Sequence, residues 1–262
     1  MKTLALRTFE ALRHEHDDLA GLVTTLDTEQ LGAPSGASDW SVAQVLSHLG
    51  SGAQINLAAL QAASGALEIP GDDFNQSVWD RWNSMAPAEQ RDEFLVHDAA
   101  LVEALERLDD EQRSTLRVTL GFLPEPISVA TYAGMRLNEA ALHGWDVRVA
   151  SDPDAGLLDT SASTMLDHLS AELGFLLGFI GKADQVDGPA VVALDKIGFS
   201  LSITDAVALV AGDVPATARF TGAAEALLRL IGGRLAPAHT PAEVQVDGNV
   251  TLEDLRSVFP GY

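Results

Sequence analysis

Apolar residues return every three or four positions through four long stretches, Leu4 to Leu26, Val42 to Ala63, Asp92 to Leu108 and Val129 to Ala150, with Gly-, Pro- and Asp-rich connections between them. A period near 3.6 residues puts such side chains on one stripe of a helix, so the pattern predicts four amphipathic helices that bury their stripes against one another as a four-helix bundle. Ser38-Asp39-Trp40-Ser41 supplies capping residues ahead of the run VAQVLSHL, and Pro87 opens a helical turn before Gln90. The segment SDPDAG, Ser151 to Gly156, breaks the helical pattern and sets the expected boundary between a domain spanning 1–152 and a second spanning 153–262. Beyond it one more helix is expected from about Ser161 to Lys182. From Gly188 the period shortens: AVVAL, FSLSI, AVALVAG and ATARFTG read as strands between turns, and Ala223 to Ile231 reads as a helix closed by Gly232-Gly233. The expected fold is mainly α, a helical bundle followed by a small α+β domain.

Composition narrows the partners. Across 262 residues, 16 basic against 38 acidic side chains give a formal charge of -22, which repels a phosphate backbone and an anionic bilayer surface. Nucleic acid and membrane are therefore not expected as partners. The acidic groups are interspersed, as on a well-solvated surface. There is no cysteine, so disulfides, thiolate metal sites and a protein thiol nucleophile are all excluded, and any thiol chemistry must borrow its thiol. The N-terminal residues become charged too early for a secretory signal, and the apolar stretch Leu173 to Ile180 falls short of the roughly 20 residues a membrane span needs. A cytoplasmic monomer or homodimer is expected.

Glu139 and His143 stand four residues apart, one turn along a single helix face and close enough to share an ion. An isolated pair of this kind is more often an ordinary hydrogen bond. His48, between Leu46 and Leu49, points partly inward, where a neutral imidazole needs a partner. One shared metal would satisfy all three. Trp40 and Trp145 read first as packing residues, Asp39 as a helix cap, and Asp146 as a partner either for Arg148 or for a ligand imidazole. His14 and His16 do not share a helical face and read as solvated. His97, His168 and His239 default to surface or core roles. Arg81, among Trp79 and Trp82, is a candidate carboxylate or sugar-thiol anchor, with a surface salt bridge as its simpler reading.

The motifs Asp39-Trp40-Ser41-Val42 with Ser47-His48-Leu49-Gly50, and Asn138-Glu139-Ala140-Ala141-Leu142-His143-Gly144-Trp145-Asp146, resemble the DinB-like, mycothiol-dependent maleylpyruvate isomerase family. The β-rich region ending in LLRLIGGR resembles that family's sterol-carrier-like C-terminal domain more loosely. The resemblance implies a divalent metal held by His48, Glu139 and His143, with mycothiol or a comparable low-molecular-weight thiol as cofactor or cosubstrate. Zinc suits two His and one carboxylate with an open coordination position, and non-haem iron accepts the same donors. It also implies a C-terminal-domain arginine directed at the site, for which Arg234 is the candidate, with Arg229 and Arg219 as alternatives. With Arg81 it completes the expected catalytic set. The implied activity on a small-molecule substrate is either cis–trans isomerisation, in which the thiolate adds to a conjugated double bond and leaves again, or S-transfer, in which it stays on the product. A carrier of apolar ligands with a structural metal and a thiol-independent metal-assisted hydrolase are the alternatives.

Overall fold

A computed structural model describes residues 2–212 and 214–261. The chain divides at Asp152 into two compact units. The first contains α1 (Leu4–Val23), α2 (Thr28–Gly32), α3 (Val42–Ala63), α4 (Phe74–Asn83), α5 (Pro87–Glu106), α6 (Asp110–Thr115), a two-stranded hairpin of β1 (Arg117–Val118) and β2 (Ile127–Ser128), and α7 (Val129–Arg148). The four long helices form a closed ring: α1 packs on α5 and α7, and α3 packs on the same two. Their stripes bury Phe9, Leu12 and Leu19 of α1, Val45, Leu46 and Leu49 of α3, Phe94 and Leu101 of α5, and Leu137 and Leu142 of α7. The bundle predicted from the 3.6-residue period is the architecture observed.

Helix starts follow the capping chemistry. The Ser41 hydroxyl accepts from the Gln44 N–H at 3.3 Å while the Gln44 side-chain oxygen accepts from the Ser41 N–H at 2.9 Å, a reciprocal box that opens α3. Ser41, not Asp39, is therefore the cap. Helix α5 begins at Pro87, five residues ahead of the expected Asp92, because proline pre-sets the first turn and the Glu89 carboxylate accepts from the Ala86 N–H at 2.9 Å. Helix α4 was not expected as a helix; it is mostly exposed and buries only Val78 and Trp82. Gly50 makes room for that indole, since a Cβ there would lie 2.1 Å from the Trp82 ring. Any larger residue at 50 would push α4 off α3.

The second unit contains α8 (Asp159–Leu169), α9 (Phe175–Ile180), β3 (Ala190–Leu194), β4 (Phe199–Ile203), β5 (Val207–Ala211), β6 (Ala218–Thr221), α10 (Ala224–Ile231), β7 (Gln245–Gly248) and α11 (Leu252–Val258). The expected helix over 161–182 is interrupted. The chain leaves helical geometry after Leu169 and re-enters it at Phe175, past Gly174, where a Cβ would approach the Ala171 and Leu169 carbonyls at 3.1 Å. The five strands form one sheet in the order β5-β4-β3-β6-β7, with β3 and β6 parallel and the other pairs antiparallel. Helix α10 packs on α8 and ends in a Schellman turn: Gly233, at φ +72°, donates to the Leu230 carbonyl at 3.0 Å, and Arg234 donates to the Arg229 carbonyl at 2.7 Å.

Candidate metal centre

Two turns into α3, His48 faces α7 and meets Glu139. The His48 Nε2 lies 2.9 Å from Glu139 Oε2, and His143 Nε2, one turn further along α7, lies 3.7 Å from the same oxygen. One donor atom from each residue falls within 4.8 Å of the others. Ligand atoms about 2 Å from a tetrahedral ion are separated by about 3.3 Å, so the two measured spacings bracket what such an ion requires. Two imidazole nitrogens and one carboxylate are a donor set for zinc or non-haem iron.

The surroundings fit a cation. The His143 Nδ1 lies 2.9 Å from Asp146 Oδ2, whose residue is fully buried. A carboxylate only accepts, so Nδ1 carries a proton, and Nε2 is the nitrogen left to give its lone pair to a cation at the cluster. Burial pushes the Glu139 carboxyl up, but the His48 hydrogen bond and the charges of His143, His48 and Arg136 outweigh it and hold the group below the usual carboxylate range. Glu139 thus offers a charged oxygen at neutral pH. Its side chain is about a third accessible (36%) and that of His48 similarly so, which leaves the cluster open on one side.

The family model for the mycothiol maleylpyruvate isomerase N-terminal domain matches residues 12–148, just over half of the chain and the whole span that carries these three side chains. The chain belongs to this family. Two solved structures, of the mycothiol-dependent maleylpyruvate isomerase and of a histidine-to-alanine variant of it, each superpose on the chain with a TM-score of 0.66 at 15% identity, covering 100% of both chains. At that identity they establish the shared fold, a bundle followed by a small α+β unit. No curated protein matches the chain.

Around the family's two motifs the structure sorts the remaining candidates. Asp146 pairs with His143, while Arg148 instead joins Glu15 at 2.6 Å and Asp18 at 2.7 Å. Trp145 is buried. Arg81 is half-exposed and engaged: it donates to Gln54 at 2.8 Å and Glu93 at 3.3 Å, and its guanidinium lies 5.5 Å from the Trp82 ring centroid. Gln54 is six residues past His48 on α3, so Arg81 meets that helix on a different side from the metal cluster. His97 joins the same group, held below its ordinary pKa by burial and by Arg81 against the pull of Glu93. Arg234 lies in the second unit, where it donates to the Gly232 carbonyl at 2.8 Å.

Two features escaped the sequence reading. His16 is buried, not solvated: its Nδ1 lies 2.8 Å from Asp98 Oδ2, and Arg136 donates to Asp98 Oδ1 at 2.7 Å and to the Leu49 carbonyl at 2.9 Å. The signal was present, since Phe9, Leu12, His16 and Leu19 share one helical stripe. The second is the turn before α3. Gly36 donates to the Asp146 carbonyl at 2.7 Å, and a Cβ on Gly36 would lie 2.9 Å from both Asp146 Cα and Oδ1, so this turn closes directly over the carboxylate that orients His143.

Proposed function

We propose that the protein is a metal-dependent enzyme that uses mycothiol, or a thiol of the same kind, to act on a small unsaturated acid, with cis–trans isomerisation as its reaction. The observation that carries this reading is the convergence of His48 Nε2, Glu139 Oε2 and His143 Nε2 within a chain of this family that has no thiol of its own. Bound at these atoms, a divalent cation such as zinc would lower the pKa of a thiol and supply thiolate at neutral pH. The chain's own residues do the rest. Asp146 fixes the ring orientation of His143, Glu139 contributes negative charge, and the accessible side of His48 and Glu139 leaves the cluster open to small molecules.

Arg234 is the proposed carboxylate anchor, while Arg81, which meets α3 on a different side from the cluster, keeps the simpler role of a salt bridge with Glu93. Metal analysis of purified protein, followed by titration of mycothiol and then of a cis-enoic acid such as maleylpyruvate, tests the reading. One stoichiometric metal, thiol binding that depends on it, and trans product with the thiol recovered unchanged are expected. Thiol consumed into a stable S-conjugate would make the enzyme a transferase. Turnover without thiol would overturn the role of mycothiol.

A further inference from the structure

The turn that opens α3 carries an aromatic ring onto the metal cluster. The Trp40 indole lies 5.1 Å from the His48 ring and 5.8 Å from the His143 ring between centroids, nearly parallel to the latter at 28°. It therefore covers both imidazoles, which are themselves 4.7 Å apart. Trp82 and Trp145 are buried, whereas Trp40 remains 36% accessible and Trp79 44%; of these two exposed indoles it is Trp40 that lies against the metal-ligand imidazoles.

Its backbone is also fixed. The Trp40 N–H donates to the Ala37 carbonyl at 3.1 Å, its carbonyl accepts from the Ser35 N–H at 3.0 Å and from the Ser35 hydroxyl at 2.8 Å, and a bridge between Pro34 and Ser41 closes the turn. An exposed indole on a fixed backbone, lying against two imidazoles beside an open donor cluster, offers a binding face whose use costs little ordering of the main chain. Mycothiol joins its N-acetylcysteinyl thiol arm to a sugar–cyclitol unit, whose C–H faces suit an indole.

We propose that Trp40 is the specificity-determining contact for the cosubstrate, stacking against the ring portion of a polyhydroxylated thiol whose sulfur is directed to the cluster of His48, Glu139 and His143. This inference rests on the thiol-using reading above. It assigns to Trp40 the distinction between a ring-bearing thiol and a small one.

The test compares zinc-loaded wild type with Trp40→Ala and Trp40→Phe, measuring zinc affinity by competition with a chromophoric chelator, and the affinities of mycothiol and N-acetylcysteine by calorimetry. Trp40→Ala is expected to weaken mycothiol about ten-fold while leaving N-acetylcysteine and zinc unchanged, and Trp40→Phe to recover part of the loss. Equal weakening of both thiols, or no change in either, would overturn the assignment and leave the enzyme reading intact. A fall in zinc affinity that accounts for the thiol losses would also overturn it, showing that the indole only props the imidazoles. Wild type that binds zinc but neither thiol would overturn both the thiol reading and this inference.

Discussion

Helix α7 passes through two polar clusters of similar ingredients and opposite character. Near its middle, Arg136 joins Asp98 of α5 and His16 of α1 in a network that is almost completely enclosed. Three residues on, Glu139 joins His48 of α3 and His143, and this cluster is open to solvent on one side. In the first, a guanidinium and a histidine flank one carboxylate and every short contact joins a donor to an acceptor. In the second, two imidazole nitrogens and a carboxylate oxygen converge on a common point, and without a cation the His48 Nε2–H donates to Glu139. A buried polar cluster that balances its own charge ties helices together; one whose three metal-capable atoms converge at an accessible face can take a cation from outside. Residue type alone does not separate the two, but exposure and the convergence of three possible ligand atoms do.

That contrast can be broken by substitution. The largest effect is expected from Glu139→Ala or His48→Ala, which should lower metal affinity by more than about 100-fold, a loss beyond that of outer-shell changes. In the presence of chelator, their denaturation midpoints should stay close to wild type. A large stability loss in the metal-free proteins would put this cluster in the same class as its neighbour. Asp98→Ala should do the reverse: it strands Arg136 without its counter-charge and is expected to cost about 3–5 kcal/mol in urea unfolding. Metal stoichiometry in the folded fraction should not change; if it does, the two clusters are one.

Asp146→Asn sharpens the comparison from the open side. An amide can still accept from His143 Nδ1 but brings no charge, and a 10- to 100-fold loss of metal affinity in chelator competition is expected with the fold unchanged. The smallest effect is electrostatic. Burial raises the Asp98 pKa, but hydrogen bonds from His16 and Arg136 together with their charges overcome it, and the group ends below its ordinary value of 3.8. A carboxyl with a depressed folded-state pKa stabilises the protein above its unfolded pKa, and this contribution disappears as pH falls through the lower folded value. Wild type should therefore lose stability below about pH 4 more steeply than Asp98→Asn, read from unfolding midpoints across an acid series. Parallel slopes would mean that the network carries no net charge coupling.

Much of this molecule was legible from residues alone, for identifiable reasons. The bundle helices announced themselves because their stripes repeat over several turns, as in Leu4–Val23 and Val129–Arg148. Strands β3 and β4 were legible because AVVAL and FSLSI are compact β-rich runs between turn residues. Helix α4 was not, since its few buried side chains leave no stripe to read, and β7, no shorter than β6 but without a buried residue, has no apolar alternation to read. Within the site, His48, Glu139 and His143 stand in motifs with recognisable spacing. Gly36 does not: its importance lies in where a Cβ would collide, which no linear pattern records. Nor did Trp40 reveal that its ring would lie over two imidazoles, because that depends on the sharp turn before Ser41.

The line of side chains along α7 has a consequence for how the chain can change length. Arg136, Glu139, His143 and Asp146 are spaced three, four and three residues apart, which keeps all four within one side of the helix. Inserting or deleting a single residue between any two of them would turn the remainder by about 100°, carrying either the network or the metal ligands off their partners. Length drift among related chains should therefore be borne by the connections, such as 64–73 and 119–126, while the stretch 136–146 keeps its residue count as strictly as a reading frame.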